Sequence, residues 1–203
     1  MFDILMKFSN KEKKELFYAG LMISLAFAIL MSGGLSGILS IQTGFFVVFV
    51  IAFFTAGVAF LLHEMMHKFI AQRYGLWAEF RAYYQGLWMA LLFSLMGFIV
   101  AAPGAVYIGG QVGREKNGKI SLAGPLTNII LALIFLIPMI LLQTAGAFAM
   151  FIRYGFTINS LLAAFNLIPI LPFDGAKILD WNKGIYFVSV IIAVGLFFGS
   201  FIL

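Results

Sequence analysis

Long apolar stretches alternate with short clusters of charged residues along this chain. The stretches without a charged side chain are 16–62, 82–112, 120–152, 154–173 and 184–203. Each is at least as long as the roughly 20 residues that an α-helix needs to cross the hydrocarbon layer of a bilayer. The pattern predicts an all-α polytopic membrane protein that forms a single domain over residues 1–203, with its core at about 45–180.

Within these stretches, glycines and prolines indicate where helices end. Gly75 follows the second apolar helix and is a typical stop signal, because glycine readily ends a helix. The expected helices are about 15–38, 43–74, 122–143, 156–167, 176–180 and 184–203. Five or six of the chain's apolar segments therefore cross the membrane.

A different pattern lies between the second and third of these helices. Residues 77–84 (WAEFRAYY) are aromatic and polar, which favours a strand, and 105–110 (AVYIGG) is a candidate partner strand. The apolar piece 87–102 between them either spans the membrane or dips in and returns as a re-entrant segment. Residues 111–119 are expected to form a polar turn.

The stretch NLIPILPFDG at 166–175 contains two prolines within an apolar run. Proline breaks a helix and leaves backbone carbonyls unpaired, which a membrane tolerates only where the backbone is buried in protein or faces a water-filled cavity. This stretch is therefore expected to line such a cavity.

Charge and cysteine content narrow the function classes. Only 10% of the 203 residues are charged, against roughly 25% in soluble domains. The net charge of +5 is explained by membrane orientation, so we do not expect nucleic-acid binding. The N-terminal segment does not resemble a cleavable signal; Ser9 and Glu12 instead fit a capping box that opens a surface helix. The chain has no cysteine, so any metal must be held by nitrogen and oxygen.

The second predicted helix carries His63-Glu64-Met65-Met66-His67, an H-E-x-x-H pattern. Histidines four residues apart lie on one helical face, so both imidazoles can reach one zinc ion. Glu64 is then placed beside the metal, where it can take a proton from water. These are the chain's two histidines, and ionisable groups at membrane depth are costly enough to indicate function.

A catalytic zinc needs a third protein ligand and an open position. Most acids in the chain neighbour basic residues: Asp3, Glu12 and Glu15 in the N-terminal basic cluster, and Glu79, Glu115 and Asp180 farther on. Asp174 differs, because it follows the proline-broken stretch and precedes Gly175. It is the candidate third ligand, and capping the helix at 176–180 is its alternative or additional role.

The motifs HEMMH, AGPLTN (123–128) and NLIPILPFDG, in this order on apolar segments, resemble the site-2 protease family of intramembrane zinc metalloproteases, in an archaeal-type form without a PDZ or CBS module. The resemblance implies that His63, His67 and Asp174 bind one Zn²⁺ per chain and that Glu64 is the catalytic base. It also implies that Asn128 and Asn166 bind substrate, with Asn128 either holding the substrate backbone or stabilising the oxyanion. Two positions depart from the family pattern, because Met66 and Ala176 replace glycines.

Metal geometry and charge favour five crossings over six. If 87–102 spanned the membrane, Asp174 would lie at the face opposite His67, and one zinc ion could not bind both. If it is re-entrant, twelve of the thirteen lysines and arginines fall on one side, predicted to be cytoplasmic, and Arg153 alone lies on the other. The N-terminus and the opening of the site are then cytoplasmic in a multi-pass membrane protein.

The expected activity is hydrolysis of peptide bonds in transmembrane protein substrates within the lipid bilayer. The alternatives are a membrane zinc transporter or metal-binding protein, and an inactive protease homologue. The transporter is less favoured, because it does not need a glutamate directly after the first ligand. The inactive homologue is less favoured, because such a protein usually lacks a ligand or the glutamate. The substrate, the regulation and the oligomeric state do not follow from the sequence.

Overall fold

A computed structural model of the chain describes residues 6–40 and 44–203. Over these residues it is 75% helical and contains one antiparallel sheet of two strands, which confirms the predicted fold class. The helices are α1 (Asn10–Met31), α2 (Gly34–Ser40), α3 (Phe45–Ala52), α4 (Val58–Arg73), α5 (Tyr84–Leu95), α6 (Arg114–Leu141), α7 (Gly146–Asn166), α8 (Asp174–Trp181) and α9 (Lys183–Ile202). The strands are β1 (Trp77–Ala82) and β2 (Gly104–Gly109).

In the described part of the chain, five helical segments are long and apolar enough to cross a membrane. They are α1, the continuous segment Phe45–Arg73, α6, α7 and α9. The second segment joins α3 to α4 through a π-helical turn, Phe53–Gly57, that the sequence pattern did not predict. The expected start of this second segment, at Thr43, lies outside the described residues. The acid Asp3 also lies outside them. The chain is thus a multi-pass membrane protein.

The segment around α5 enters and leaves the fold at the same place. β1 pairs antiparallel with β2, and the pairing sets Ala82 opposite Gly104, at the two ends of this segment. α5 has 12 residues, hence a length of about 18 Å, which is shorter than the roughly 30 Å hydrocarbon layer. Both facts favour the re-entrant arrangement with five crossings. At the tip of this segment, the backbone of Leu95 packs closely against Gly34. A Cβ on Gly34 would lie 2.7 Å from the carbonyl oxygen of Leu95, and Gly34 also has a positive φ of +72°.

α6 and α7 begin well before the positions that the sequence pattern predicts. α6 begins at Arg114, so most of the expected polar turn at 111–119 is helical, and the Lys119 ammonium pairs with Glu115 one turn earlier at 2.5 Å. α7 begins ten residues before the expected start at 156. Gly155 does not interrupt it, because the glycine packs directly on the Phe135 ring, where a Cβ would lie 2.5 Å from a ring carbon.

The beginning of α1 confirms one half of the predicted capping box. The Ser9 hydroxyl accepts a hydrogen bond from the Glu12 N–H at 3.1 Å. The expectation of a separate surface helix is wrong, since α1 runs unbroken into the first membrane span. Glu12 and Glu15 are buried instead of belonging to an exposed basic cluster.

α6 is the element that assembles the interior of the protein, because it packs against α4, α7 and α8. This packing brings the H-E-x-x-H helix, the Asn128 segment and the start of α8 to one point. The proline-containing stretch 167–173 is non-helical, as predicted, and leads directly into α8, which begins at that point.

Candidate metal centre and active site

The two histidines lie one turn apart on the inner face of α4. Their Nε2 atoms are 3.0 Å from each other, and both residues are buried. This is the arrangement that an i, i+4 spacing produces when both imidazoles turn toward a common point. The predicted pairing of His63 and His67 is therefore present.

Asp174 completes a triangle of ligand atoms. Its Oδ2 lies 3.5 Å from His63 Nε2 and 3.0 Å from His67 Nε2. Metal–ligand bonds of about 2.0–2.1 Å in a tetrahedral zinc site separate neighbouring ligand atoms by roughly 3.3 Å, so the three atoms have the spacing of three corners of such a site. Among the described residues, these three form the group of acidic and histidine side chains that could hold a metal.

Asp174 is the first residue of α8, and its side chain does not cap that helix. The residue in the N-cap position is Phe173, and no side-chain hydrogen bond caps the first turn. Asp174 Oδ2 instead faces the Nε2 atoms of both histidines.

Hydrogen bonds fix which nitrogen of each imidazole faces the metal position. His63 Nδ1 lies 2.6 Å from Asn128 Oδ1, and His67 Nδ1 lies 2.8 Å from the carbonyl oxygen of Ile120. Both partners are acceptors, so each Nδ1 carries the proton and donates it. Each Nε2 then keeps a free lone pair for a cation, as metal-binding histidines require.

Gly124 leaves space beside the two ligand nitrogens. A Cβ on this residue would stand 2.5 Å from His63 Nε2 and closer still to His67 Nε2. An ion cannot stand at that point itself, which is one bond length from the Gly124 Cα, but the missing side chain leaves that side of both nitrogens uncrowded. The donor set, its spacing and this gap fit a zinc ion.

Glu64 lies beside the ligands on the wall of a buried cavity of about 280 Å³. It is 8% exposed. The cavity is bounded by α1, α4, β2, α6 and the stretch that leads into α8, and all three ligand residues also line it. A ligand in the open coordination position and a substrate would both occupy this cavity, next to the Glu64 carboxylate.

Lys177, which the charge pattern places only among the cytoplasmic charges, also lines the cavity. Its Nζ lies 3.4 Å from Asp174 Oδ1, the carboxylate oxygen that does not face the histidines. The sequence did contain a signal for this contact. Lys177 lies three residues after Asp174, and residues at i and i+3 on a helix are neighbours.

Asn128 contacts side chains of two other helices, and its predicted role in substrate binding stays a prediction. Its oxygen contacts His63, its Nδ2 donates to Asn159 Oδ1 at 3.1 Å, and it is fully buried. This geometry favours a role in orienting His63. Asn159, which donates onward to the carbonyl oxygen of Gly155, was missed because a lone asparagine in an apolar helix resembles ordinary packing.

The remaining predicted positions lie at the edges of the site. Asn166 lines the cavity, but its Nδ2 donates to the Leu162 carbonyl oxygen within its own helix at 2.9 Å. Its role in substrate binding stays a prediction. Met66 and Ala176 are half-buried and do not line the cavity, so the two departures from glycine leave the ligand atoms in place.

Two archaeal proteins are similar to the chain. It is 46% identical over 141 residues to "Putative zinc metalloprotease MJ0611" of Methanocaldococcus jannaschii, an alignment that covers 68% of this chain and 74% of that protein. It is 27% identical over 123 residues to "Zinc metalloprotease MJ0392" of the same organism, over 60% of this chain and 31% of that protein. No protein-family model and no solved structure matches the chain.

Proposed function

The chain belongs to the zinc metalloprotease family of its 46% identical archaeal relative, and on this premise we propose that it is an intramembrane protease of the site-2 type. It would hydrolyse peptide bonds of membrane-embedded proteins, as a single protease domain. The observation that supports this proposal best is the convergence of His63, His67 and Asp174 beside Glu64, on a cavity between helices long enough to span a bilayer.

His63, His67 and Asp174 would hold the zinc ion through the three atoms described above. When bound, zinc supplies a Lewis acid that activates a water molecule and polarises the scissile carbonyl. Glu64 takes the proton from the attacking water and then delivers it to the leaving amine. Asn128 and the Ile120 carbonyl hold the imidazoles in the orientation that leaves their Nε2 atoms free.

The cavity also explains how water and a peptide could meet at membrane depth. His63 lies about ten residues before the end of α4 at Arg73, hence roughly 15 Å along the helix axis. The cavity extends to Pro172 and Phe173 of the non-helical stretch and to Lys177, which is 34% exposed at its side chain. We propose that water enters along this side.

A helical substrate hides its amides in internal hydrogen bonds, so it must be bound in an extended form. β2 supports this, because Gly104, Val106 and Ile108 line the cavity beside the candidate ligands. We propose that the substrate adds to this strand through its backbone. Val106→Pro should lower turnover at least tenfold and leave zinc binding intact, while Val106→Ala should keep most of the turnover. Equal turnover in both variants would refute strand addition.

The orientation follows from charge. In the five-crossing arrangement, Arg153 stands alone on one side and the other lysines and arginines of the sequence fall on the opposite side. On the positive-inside rule, we propose that the N-terminus and the opening of the cavity are cytoplasmic in a cell-membrane protein. A protease-accessible tag at each terminus of the protein in vesicles tests this orientation.

The experiment that tests the metalloprotease site is zinc content after prolonged dialysis in detergent. Wild type is expected to retain about one zinc per chain and Asp174→Ala to lose it, since a three-ligand site becomes a two-ligand site. Glu64→Gln is expected to retain zinc and to lose cleavage of a transmembrane test substrate. A zinc transporter would release its ion during dialysis, and full cleavage by Glu64→Gln would refute the assigned base.

A further inference from the structure

A buried ion pair joins the first membrane helix to the H-E-x-x-H helix. The Lys68 ammonium lies 2.6 Å and 2.5 Å from the two carboxylate oxygens of Glu12, and both residues are 0% exposed. The ammonium also lies 4.4 Å from the centre of the Phe8 ring. Desolvating two charges in this way costs so much that a buried pair is rarely explained by stability alone. Lys68 directly follows the ligand His67.

The same carboxylate reaches the sheet. Glu12 Oε1 accepts a hydrogen bond from the backbone N–H of Phe80 at 2.8 Å. One turn later on α1, Glu15 Oε2 accepts from the N–H of Ala82 at 2.9 Å. Phe80 and Ala82 are two residues apart on β1, so their N–H groups point to the same edge of the strand. Two side chains of α1 therefore take the place of a third strand along β1.

The direction of the β2 backbone groups follows from this arrangement. Because the Phe80 and Ala82 N–H groups point toward α1, the residues opposite them belong to non-hydrogen-bonded pairs of the antiparallel ladder. These partners are Val106 and Gly104. Their own N–H and C=O groups therefore point away from β1. The outer edge of β1 is closed by α1, whereas the outward backbone groups of β2 belong to Gly104 and Val106, which are residues that line the cavity.

We propose that Glu12, Glu15 and Lys68 are positioning residues. They hold the β1–β2 sheet at a fixed position relative to the zinc ligands. Glu12 binds the sheet and the ligand helix at one point, and Glu15 binds the sheet one turn away. The open β2 edge is then presented to a substrate backbone in one register beside Glu64. This inference rests on the proposed function, because it assumes that the substrate adds to β2.

Two probes separate the sheet from the metal. Acetohydroxamate binds at the zinc and carries no peptide backbone, whereas a peptidyl hydroxamate also carries an extended backbone that can pair with β2. The ratio of their dissociation constants measures what the sheet contributes. In Glu15→Met, which removes the acceptor for the Ala82 N–H, the advantage of the peptidyl probe should fall about fivefold, with acetohydroxamate binding and zinc content unchanged. Glu15→Gln keeps an acceptor oxygen and should restore most of that advantage.

The matched control is Glu115→Met, the same chemical change at an exposed glutamate paired with Lys119, and it should leave both probes unaffected. A second pair of variants tests Glu12 without leaving a buried charge. Lys68→Met combined with Glu12→Gln keeps the acceptor for the Phe80 N–H, and Lys68→Met combined with Glu12→Ala removes it. Only the second combination should lose the advantage of the peptidyl probe.

Amide hydrogen exchange checks these contacts in the wild type itself, because the Phe80 and Ala82 N–H groups should both exchange slowly. In Glu15→Met, the Ala82 N–H should lose protection and the Phe80 N–H, whose acceptor is Glu12, should keep it. An unchanged probe ratio in folded, zinc-loaded Glu15→Met would overturn the positioning role, as would fast exchange of both amides in wild type. Failure of acetohydroxamate to bind wild type would instead refute the metalloprotease site, so the two failures are distinguishable.

Discussion

Gly124→Ala is the substitution that tests the metal position most directly. The added methyl group would stand 2.5 Å from His63 Nε2 and 2.6 Å from His63 Cε1. Non-bonded carbon and nitrogen atoms normally keep about 3.5 Å, so the overlap is roughly 1 Å. The methyl would also crowd the metal-facing side of both ligand nitrogens.

The size of the effect follows from that overlap. Zinc sites hold their bond lengths within about 0.2 Å, and loss of a single supporting hydrogen bond already lowers metal affinity about 10- to 100-fold. A displacement of about 1 Å at two ligands should lower zinc affinity more than about 100-fold. The fold itself should persist, because alanine favours a helix interior over glycine by about 1 kcal/mol.

The assay is zinc per chain at rising chelator concentration, with helicity and gel-filtration profile measured on the same samples. Gly195→Ala is the matched control, because a Cβ at Gly195, within the membrane helix α9, would meet nothing within 4 Å. The control should retain zinc as wild type does. Wild-type zinc affinity in folded Gly124→Ala would refute the assignment of the metal position.

Two further substitutions test hydrogen bonds that stabilise the metal site and strand β1. Asn128→Leu removes the acceptor for the His63 Nδ1 proton, so zinc affinity should fall about 10- to 100-fold in a chelator titration; an unchanged affinity would mean that the asparagine does not orient the imidazole. At Glu79, hydrogen bonds from the Ser9 hydroxyl and Arg81 lower the pKa of the carboxyl. A lowered pKa in the folded state stabilises the protein above pH about 4.5 and loses that effect as pH falls through the folded-state value. Glu79→Gln should therefore lower the melting temperature at pH 7, and the difference from wild type should shrink as the pH falls below about 4.5; an equal decrease at every pH would exclude a charge effect.

Local periodicity made much of this protein predictable. An i, i+4 spacing places His63 and His67 on one helical face wherever the helix lies, and the apolar runs gave the five spans. The aromatic and polar pattern of 77–84 and the short strand at 105–110 gave the sheet. These features depend on neighbours within a few residues, so the sequence carries them directly.

Other features depend on how helices pack, and the sequence left them open or gave them wrongly. Asn128 meets His63 across 65 positions of chain, and only the packing of α6 on α4 decides that it faces the imidazole. Asp174 had two possible roles, and the path of the proline-containing stretch turns its carboxylate to the histidines.

The buried ion pair between α1 and α4 shows most clearly what local sequence cannot predict. Glu12 and Lys68 resemble surface residues in the sequence, because charged side chains near the end of a membrane helix usually reach solvent. Their burial requires a partner 56 positions away and a strand edge with unpaired N–H groups. Neither requirement can be read from local sequence, since an ion pair forms only where the tertiary structure brings opposite charges together and excludes water.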